Sequence, residues 1–129
     1  MPIVSGEFTV VMQPETMSAV AADSGIGRMS LDKRYHGALQ AEGKGEMLAQ
    51  LDRALGSGVY VAVERVSGTL DGRSGSFLLH HTGVMTRGAP ALTVAVVPDS
   101  GSGDLSGLSG TLRIRIEGGK HYYDLDYTL

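Results

Sequence analysis

Apolar and polar residues alternate along most of the chain, which is the pattern of β-strands with one buried face. The clearest stretches are rich in β-branched residues and lie between short runs of glycine, proline or aspartate. We predict strands at residues 3–12, 28–41 (interrupted at Gly37), 59–70, 75–85, 91–97, 111–117 and 120–129. A series of about seven or eight short strands predicts a sandwich or a closed barrel.

Turn residues separate these strands. Asp71-Gly72 is a strong hairpin signal, so residues 59–70 and 75–85 are predicted to form one long hairpin that turns at Asp71–Arg73. Pro14 is expected to end the first strand, because proline has no N–H for the ladder. We interpret residues 16–27 as a loop.

Two stretches are ambiguous. Residues 45–55 place apolar side chains at helical spacing and are rich in helix-favouring residue types, so taken alone they favour a helix. Residues 99–110 have the composition of a flexible linker. Leu105 and Leu108 interrupt that linker three residues apart, which indicates a packed turn.

Composition narrows the function classes. The chain has 129 residues, 42% of them apolar, and a net charge of −3, so we predict one domain over residues 1–129 with no basic surface for nucleic acid. No apolar run reaches the length of a membrane span, and the N-terminal residues lack the pattern of a signal peptide, so a cytoplasmic location is expected. The absence of cysteine excludes disulfides, cysteine-ligated zinc, iron–sulfur clusters and thiol catalysis.

Two segments resemble a known family. Residues 60–83 and the glycine-rich stretch 97–110, together with the opening residues 6–10 and the closing residues 123–127, resemble the bacterial domain of unknown function 3224. The glycine-rich stretch is also similar to the G-x-G-x-[FL] motif of allene oxide cyclases and plant dirigent proteins, which Gly101, Gly103, Leu105 and Gly110 match.

This resemblance implies an all-β fold, a single antiparallel eight-stranded closed barrel with an interior cavity. It also implies a strand at residues 43–53, against the helical spacing there, and we favour the strand because tertiary pairing overrides propensity. Met12 and Val94 stand where the resemblance implies tryptophan, a difference that bears on cavity size. The family supplies no activity to transfer, and cyclisation in distant relatives is an analogy of fold alone.

The strongest candidates for chemistry are Glu64 and His81. Glu64 stands among apolar residues, and its face of the predicted hairpin carries His81 in either of two registers. In one register His81 lies opposite Glu64; in the other, in which Leu70 pairs with Arg73, it lies diagonally beside it. Tyr60, Ala62, Val66, Phe77 and Leu79 share this face and are candidate ligand-binding residues. The alternative is a buried pair with a structural role only.

The remaining polar residues are less informative. Asp124 and Asp126 share a face but are too few for a metal site, and His36 and His121 are interpreted as exposed. The glycines near Lys44 and Ser102 lack the context of a phosphate loop, and residues 72–76 miss the serine nucleophile motif by one position. We therefore expect no metal and no cofactor.

Two functions remain open from sequence. One is a module that binds a small, largely apolar ligand inside the barrel. The other is a cofactor-free isomerase or cyclase in the same cavity, with Glu64 and His81 as acid and base. A purely structural or oligomeric role is the third alternative. Both faces of residues 59–66 and 91–97 are largely apolar, so we also expect a homo-oligomer, a dimer or a trimer.

Overall fold

The alternating segments form eight antiparallel strands that close into a barrel. The computed structural model describes residues 2–129. The strands are β1 (Ile3–Glu15), β2 (Gly27–Gly37), β3 (Leu39–Asp52), β4 (Ser57–Leu70), β5 (Arg73–Thr86), β6 (Ala89–Val96), β7 (Ser109–Glu117) and β8 (Lys120–Thr128). Each strand pairs with its neighbours in the chain, and β8 pairs back with β1. The predicted all-β closed barrel is confirmed.

Helix is almost absent from the part of the chain that the structure describes. The helical element there is a single 3₁₀ turn at Gly103–Leu105. None of the helical structure within residues 2–129 has the length or the apolar character needed to cross a membrane.

The β4–β5 hairpin turns at Asp71-Gly72, as predicted. Both residues have positive φ, 49° and 82°, which a tight two-residue hairpin requires and which aspartate and glycine tolerate. Leu70 therefore pairs with Arg73, and along the hairpin His81 pairs with Ala62. Of the two registers left open by the sequence, this is the one that places His81 diagonally beside Glu64.

Two strand boundaries differ from the prediction. Pro14 does not end β1; it pairs with Met29 on β2. The ladder between β1 and β8 stops at Phe8, so the missing N–H of Pro14 lies where β1 has one neighbouring strand only. The predicted strand 28–41 is two strands, because the chain reverses at Gly37, whose φ is 110°.

The helical spacing at residues 45–55 does not produce a helix. Most of this stretch belongs to β3, which pairs along its length with β4 and over nine residues with β2. Paired on both sides, the backbone alternates, so Met47, Ala49 and Leu51 point into the barrel while Leu48 lies on the outside. Hydrogen bonding to two neighbouring strands overrides the local helix propensity.

One end of the barrel is sealed by the glycine-rich connection between β6 and β7. Leu105 and Leu108, 1% and 2% exposed, fill this end, so the predicted packed turn is confirmed. The connection is bound to β5, because the Ser102 N–H donates to the Ser76 carbonyl at 2.8 Å and the Leu78 N–H donates to Ser100 Oγ at 3.0 Å.

The seam between β6 and β7 is the weakest in the barrel. It contains a single residue pair, Ala95 with Thr111, whereas the seam between β3 and β4 contains fourteen. The two strands therefore separate towards the end of the barrel at which β6 begins and β7 ends.

The outer face of β4 carries an exposed apolar stripe formed by Val61 and Val63, which are 45% and 53% exposed. Contiguous apolar surface of this kind is typical of an interface. We expect this protein to be a dimer or trimer in solution, so light scattering at micromolar concentration gives at least twice the 13.5 kDa mass of one chain.

A charge in the stripe tests this assignment. Val61→Lys is expected to lower the measured mass towards one chain, whereas Val11→Lys, at a 57% exposed position on β1, leaves it unchanged. A mass near 13.5 kDa for the unmodified chain contradicts the prediction.

Candidate functional site

A pocket of about 490 Å³ opens at the end of the barrel opposite the sealed one, where β4 begins and β5 ends. The apolar residues that line it are Phe8, Val10, Met12, Leu31, Met47, Ala49, Leu51, Val59, Ala62, Val84, Met85, Pro90, Ala91, Leu92, Ile114 and Ile116. The polar side chains among the lining residues are Lys33, Gln50, Tyr60, His81 and His121. Both its volume and its apolar wall are typical of small-molecule sites.

A cluster of four polar side chains lies at the inner end of this pocket. The carboxylate of Glu64, which is 1% exposed, accepts a hydrogen bond from Lys33 Nζ at 2.8 Å and is 2.7 Å from His81 Nε2. The Tyr35 hydroxyl donates to the same carboxylate, 2.9 Å from Oε2. Lys33 and His81 line the pocket, so Glu64 and Tyr35 form the layer behind them.

Three strands bring this cluster together. Lys33 and Tyr35 are two residues apart on β2 and share the inward face, Glu64 comes from β4, and His81 comes from β5. The carboxylate has room because Gly43 on β3 has no side chain, and a Cβ there would overlap Glu64 Oε2.

The neighbours of Glu64 determine its charge. Burial alone raises the pKa of Glu64, but the hydrogen bond with His81 and the charge and hydrogen bond of Lys33 outweigh it and hold that pKa below its ordinary value. Glu64 therefore stabilises the fold above its unfolded-state pKa, and this contribution is lost as the pH falls through the lower folded-state pKa. Burial and the nearby Glu64 charge raise the pKa of Tyr35, which stays a neutral donor.

An ionised Glu64 also sets the proton position on His81. A carboxylate can only accept, so His81 Nε2 carries the hydrogen and donates it to Glu64. In the neutral imidazole the other nitrogen, Nδ1, is then a free acceptor, and among residues 2–129 it has no hydrogen-bond partner. Since His81 lines the pocket, a bound molecule can reach this nitrogen.

The hairpin residues predicted to share the site divide into two layers. Tyr60 and Ala62 line the pocket, and the Tyr60 ring lies 6.5 Å from the ring of His81. The other three candidates, Val66, Phe77 and Leu79, are each 0% exposed and are not among the residues that line the pocket. Leu79 lies directly opposite Glu64, and the pair Val66 and Phe77 lies two residues nearer the sealed end. They share the face of Glu64 but lie too far along the strands to reach the opening.

Sequence reasoning missed Lys33, Tyr35 and Gly43. The alternation in β2 already put Lys33 on one face with Leu31 and Tyr35, which was the available signal. Lysine is usually exposed, so its burial was not expected.

Among the other polar candidates, His121 was predicted to be exposed, and this is wrong. It is half-buried and lines the pocket, and the centre of its ring lies 5.2 Å from that of Phe8 with the two planes tilted by 49°. His36 is exposed as predicted. Asp124 and Asp126 lie outside the core, and Asp124 is bound by Arg115 at 2.8 Å and by the Ser5 hydroxyl at 2.6 Å.

Comparison with known proteins shows which family this barrel belongs to. Residues 4–127 match the family DUF3224, described as "Protein of unknown function (DUF3224)". The chain belongs to this family. The resemblance noted in the sequence is thereby confirmed for DUF3224, while the wider likeness to allene oxide cyclases and dirigent proteins stays a prediction.

A solved DUF3224 structure has the same fold. The crystal structure of a family member of unknown function from Shewanella oneidensis MR-1 is 45% identical in sequence and superposes with a TM-score of 0.92. The alignment covers 100% of this chain and 97% of that one. No curated protein matches the chain.

The buried ion pair of this DUF3224 protein makes a direct stability prediction. Lys33→Met and Glu64→Gln each leave a buried charge without its partner, so each is expected to lower the free energy of unfolding by about 3–5 kcal/mol. The double variant removes both charges and is expected to cost less than the sum of the two. Urea denaturation measures all three values.

Lys44→Met is the matched control, because Lys44 pairs with Asp32 at 2.7 Å with both side chains more than half exposed. It is expected to change the free energy of unfolding by about 1 kcal/mol or less. Equal costs for Lys33→Met and Lys44→Met would show that the buried cluster does not support the fold.

Proposed function

We propose that this DUF3224 barrel binds a small, largely apolar molecule in the pocket at its open end. The observation that carries the proposal is the distribution of polarity along the pocket. Aliphatic side chains form most of the wall, while Lys33 and His81 stand at the inner end with Glu64 behind them. Such a gradient accommodates a molecule with an apolar body and one polar end.

The most direct experiment identifies what the protein carries. The purified protein is extracted with organic solvent, and the extract is compared by mass spectrometry with that of two variants. Ala49→Phe puts a ring into the pocket wall, and Leu48→Phe, one residue away, puts the same ring on the outer face, where Leu48 is 41% exposed.

The expected result is a specific small molecule in the extract, reduced about tenfold or more by Ala49→Phe, because overpacking a pocket weakens binding by this order. Leu48→Phe leaves the amount unchanged. If both variants retain the same amount as the unmodified protein, the molecule is not bound in the pocket and the proposal fails.

A second candidate function is a cofactor-free isomerase or cyclase. The geometry that favours it is the Glu64–His81 pair, in which the carboxylate orients the ring and leaves Nδ1 facing the pocket as a base. Glu64→Gln keeps the shape and removes the charge. For an enzyme acting on the extracted molecule, this variant is expected to lower kcat by about 10²- to 10⁴-fold, with a smaller change in KM.

Turnover is measured on the extracted molecule by chromatography. If the folded Glu64→Gln variant converts it at the same rate as the unmodified protein, Glu64 has a structural role only.

A further inference from the structure

We propose that the polar end of the bound molecule is a carboxylic acid, carried on an aliphatic chain and taken up together with a proton. This rests on the proposed function, because it names the chemical class of the ligand for the same pocket. The argument depends on which hydrogen-bonding groups remain free at the inner end of the pocket and on the net charge there.

The first free group is the ammonium of Lys33. Its Nζ carries three hydrogens, and within residues 2–129 its one hydrogen-bond acceptor is Glu64 Oε1. The ammonium also lies 5.2 Å from the centre of the Phe8 ring, a contact that stabilises the charge but accepts no conventional hydrogen bond. Lys33 therefore has donors left over for a ligand oxygen.

The second free group is His81 Nδ1, an acceptor in the neutral ring. Both groups belong to side chains that line the pocket and contact the same oxygen of Glu64, Lys33 through Nζ at 2.8 Å and His81 through Nε2 at 2.7 Å. A ligand that satisfies both needs an acceptor for the ammonium and a donor for the ring nitrogen. A ketone or an ester supplies the acceptor alone, while a carboxylic acid has its carbonyl and its hydroxyl on one carbon.

The charge of the cluster explains why the acid is taken up together with a proton. The charges of Lys33 and Glu64 cancel each other, so a carboxylate entering alone would bring an uncompensated negative charge into a buried site. A carboxylic acid that enters with its proton keeps the balance, whether the proton stays on the acid or moves to Nδ1. The titratable groups that face His81 are Glu64 and Tyr60 from β4, Lys33 and Tyr35 from β2, and His121 from β8.

The rest of the pocket fits an alkyl chain. Near the opening the inward side chains include Met12, Met47, Met85 and Leu51, which are unbranched at Cβ and adapt to a flexible chain. Since β6 and β7 separate at this end, the alkyl chain of the ligand can also extend between these two strands.

Binding of three probes with the same chain tests the head group. Decanoic acid, methyl decanoate and 1-decanol are titrated into the full-length protein at pH 8 by calorimetry, after removal of any carried ligand. Decanoic acid is expected to bind about tenfold more tightly than methyl decanoate, because its hydroxyl supplies the donor for His81 Nδ1 that the ester lacks. In two buffers of different ionisation heat, about one proton is taken up per acid bound, because the free acid is ionised at this pH.

Variants test whether the preference for the acid over the ester comes from the cluster around Glu64. The double variant with Lys33→Met and Glu64→Gln, which leaves no unpaired charge, is expected to bind the acid no more tightly than the ester. Lys44→Met, on the outer surface, keeps the full preference. If Lys33→Met alone does not fold, the double variant and the number of protons taken up per acid bound still test the proposal.

The outcomes separate the two proposals. Equal affinity for acid and ester, or binding of the acid with no proton taken up, overturns the carboxylic acid and leaves an apolar pocket in place. If none of the three probes binds, the aliphatic carboxylic acid is overturned as well, whereas the proposed function is decided by the extraction from the Ala49→Phe and Leu48→Phe variants.

Discussion

A carboxylate that is buried away from the solvent must find its hydrogen-bond donors within the protein, and Glu64 finds three. The ammonium of Lys33, the hydroxyl of Tyr35 and the imidazole of His81 all converge on it. They come from two strands that are not adjacent to each other, β2 and β5, with β4 supplying the carboxylate. Because an unpaired buried charge is costly, a shift of one of these strands that separated the partners would strongly destabilise the fold.

The same cluster divides the interior into two regions. On one side Val66, Phe77 and Leu79 pack against the residues that seal the barrel, and nothing there is open to a ligand. On the other side the inward side chains leave the space between them open. A closed barrel of eight strands has an interior that side chains can just fill. Here they fill the sealed end, so the polar groups stand at the boundary between core and pocket.

Much of the fold follows from local signals in the sequence. Strand alternation and the Asp71-Gly72 turn suffice for the β4–β5 hairpin, and the turn determines its register once Leu70 is paired with Arg73. The site is harder to predict, because alternation tells which face a residue occupies but not how deep along the strand it lies. That is why Phe77 was grouped with Tyr60. Lys33 was missed for another reason. Glu64, the partner that stabilises its buried charge, is 31 positions away in the chain.

The sulfur content of the chain has a consequence for the pocket. Without cysteine, methionine is the residue whose sulfur an oxidant can attack, and three of the six methionines line the pocket. Met12 is 49% exposed there. Oxidation to the sulfoxide turns a flexible apolar side chain into a polar, chiral one. An oxidant that reaches the opening would therefore make the pocket wall polar while the strand ladder and the buried ion pair stay intact, and the lesion is reversible by sulfoxide reductases.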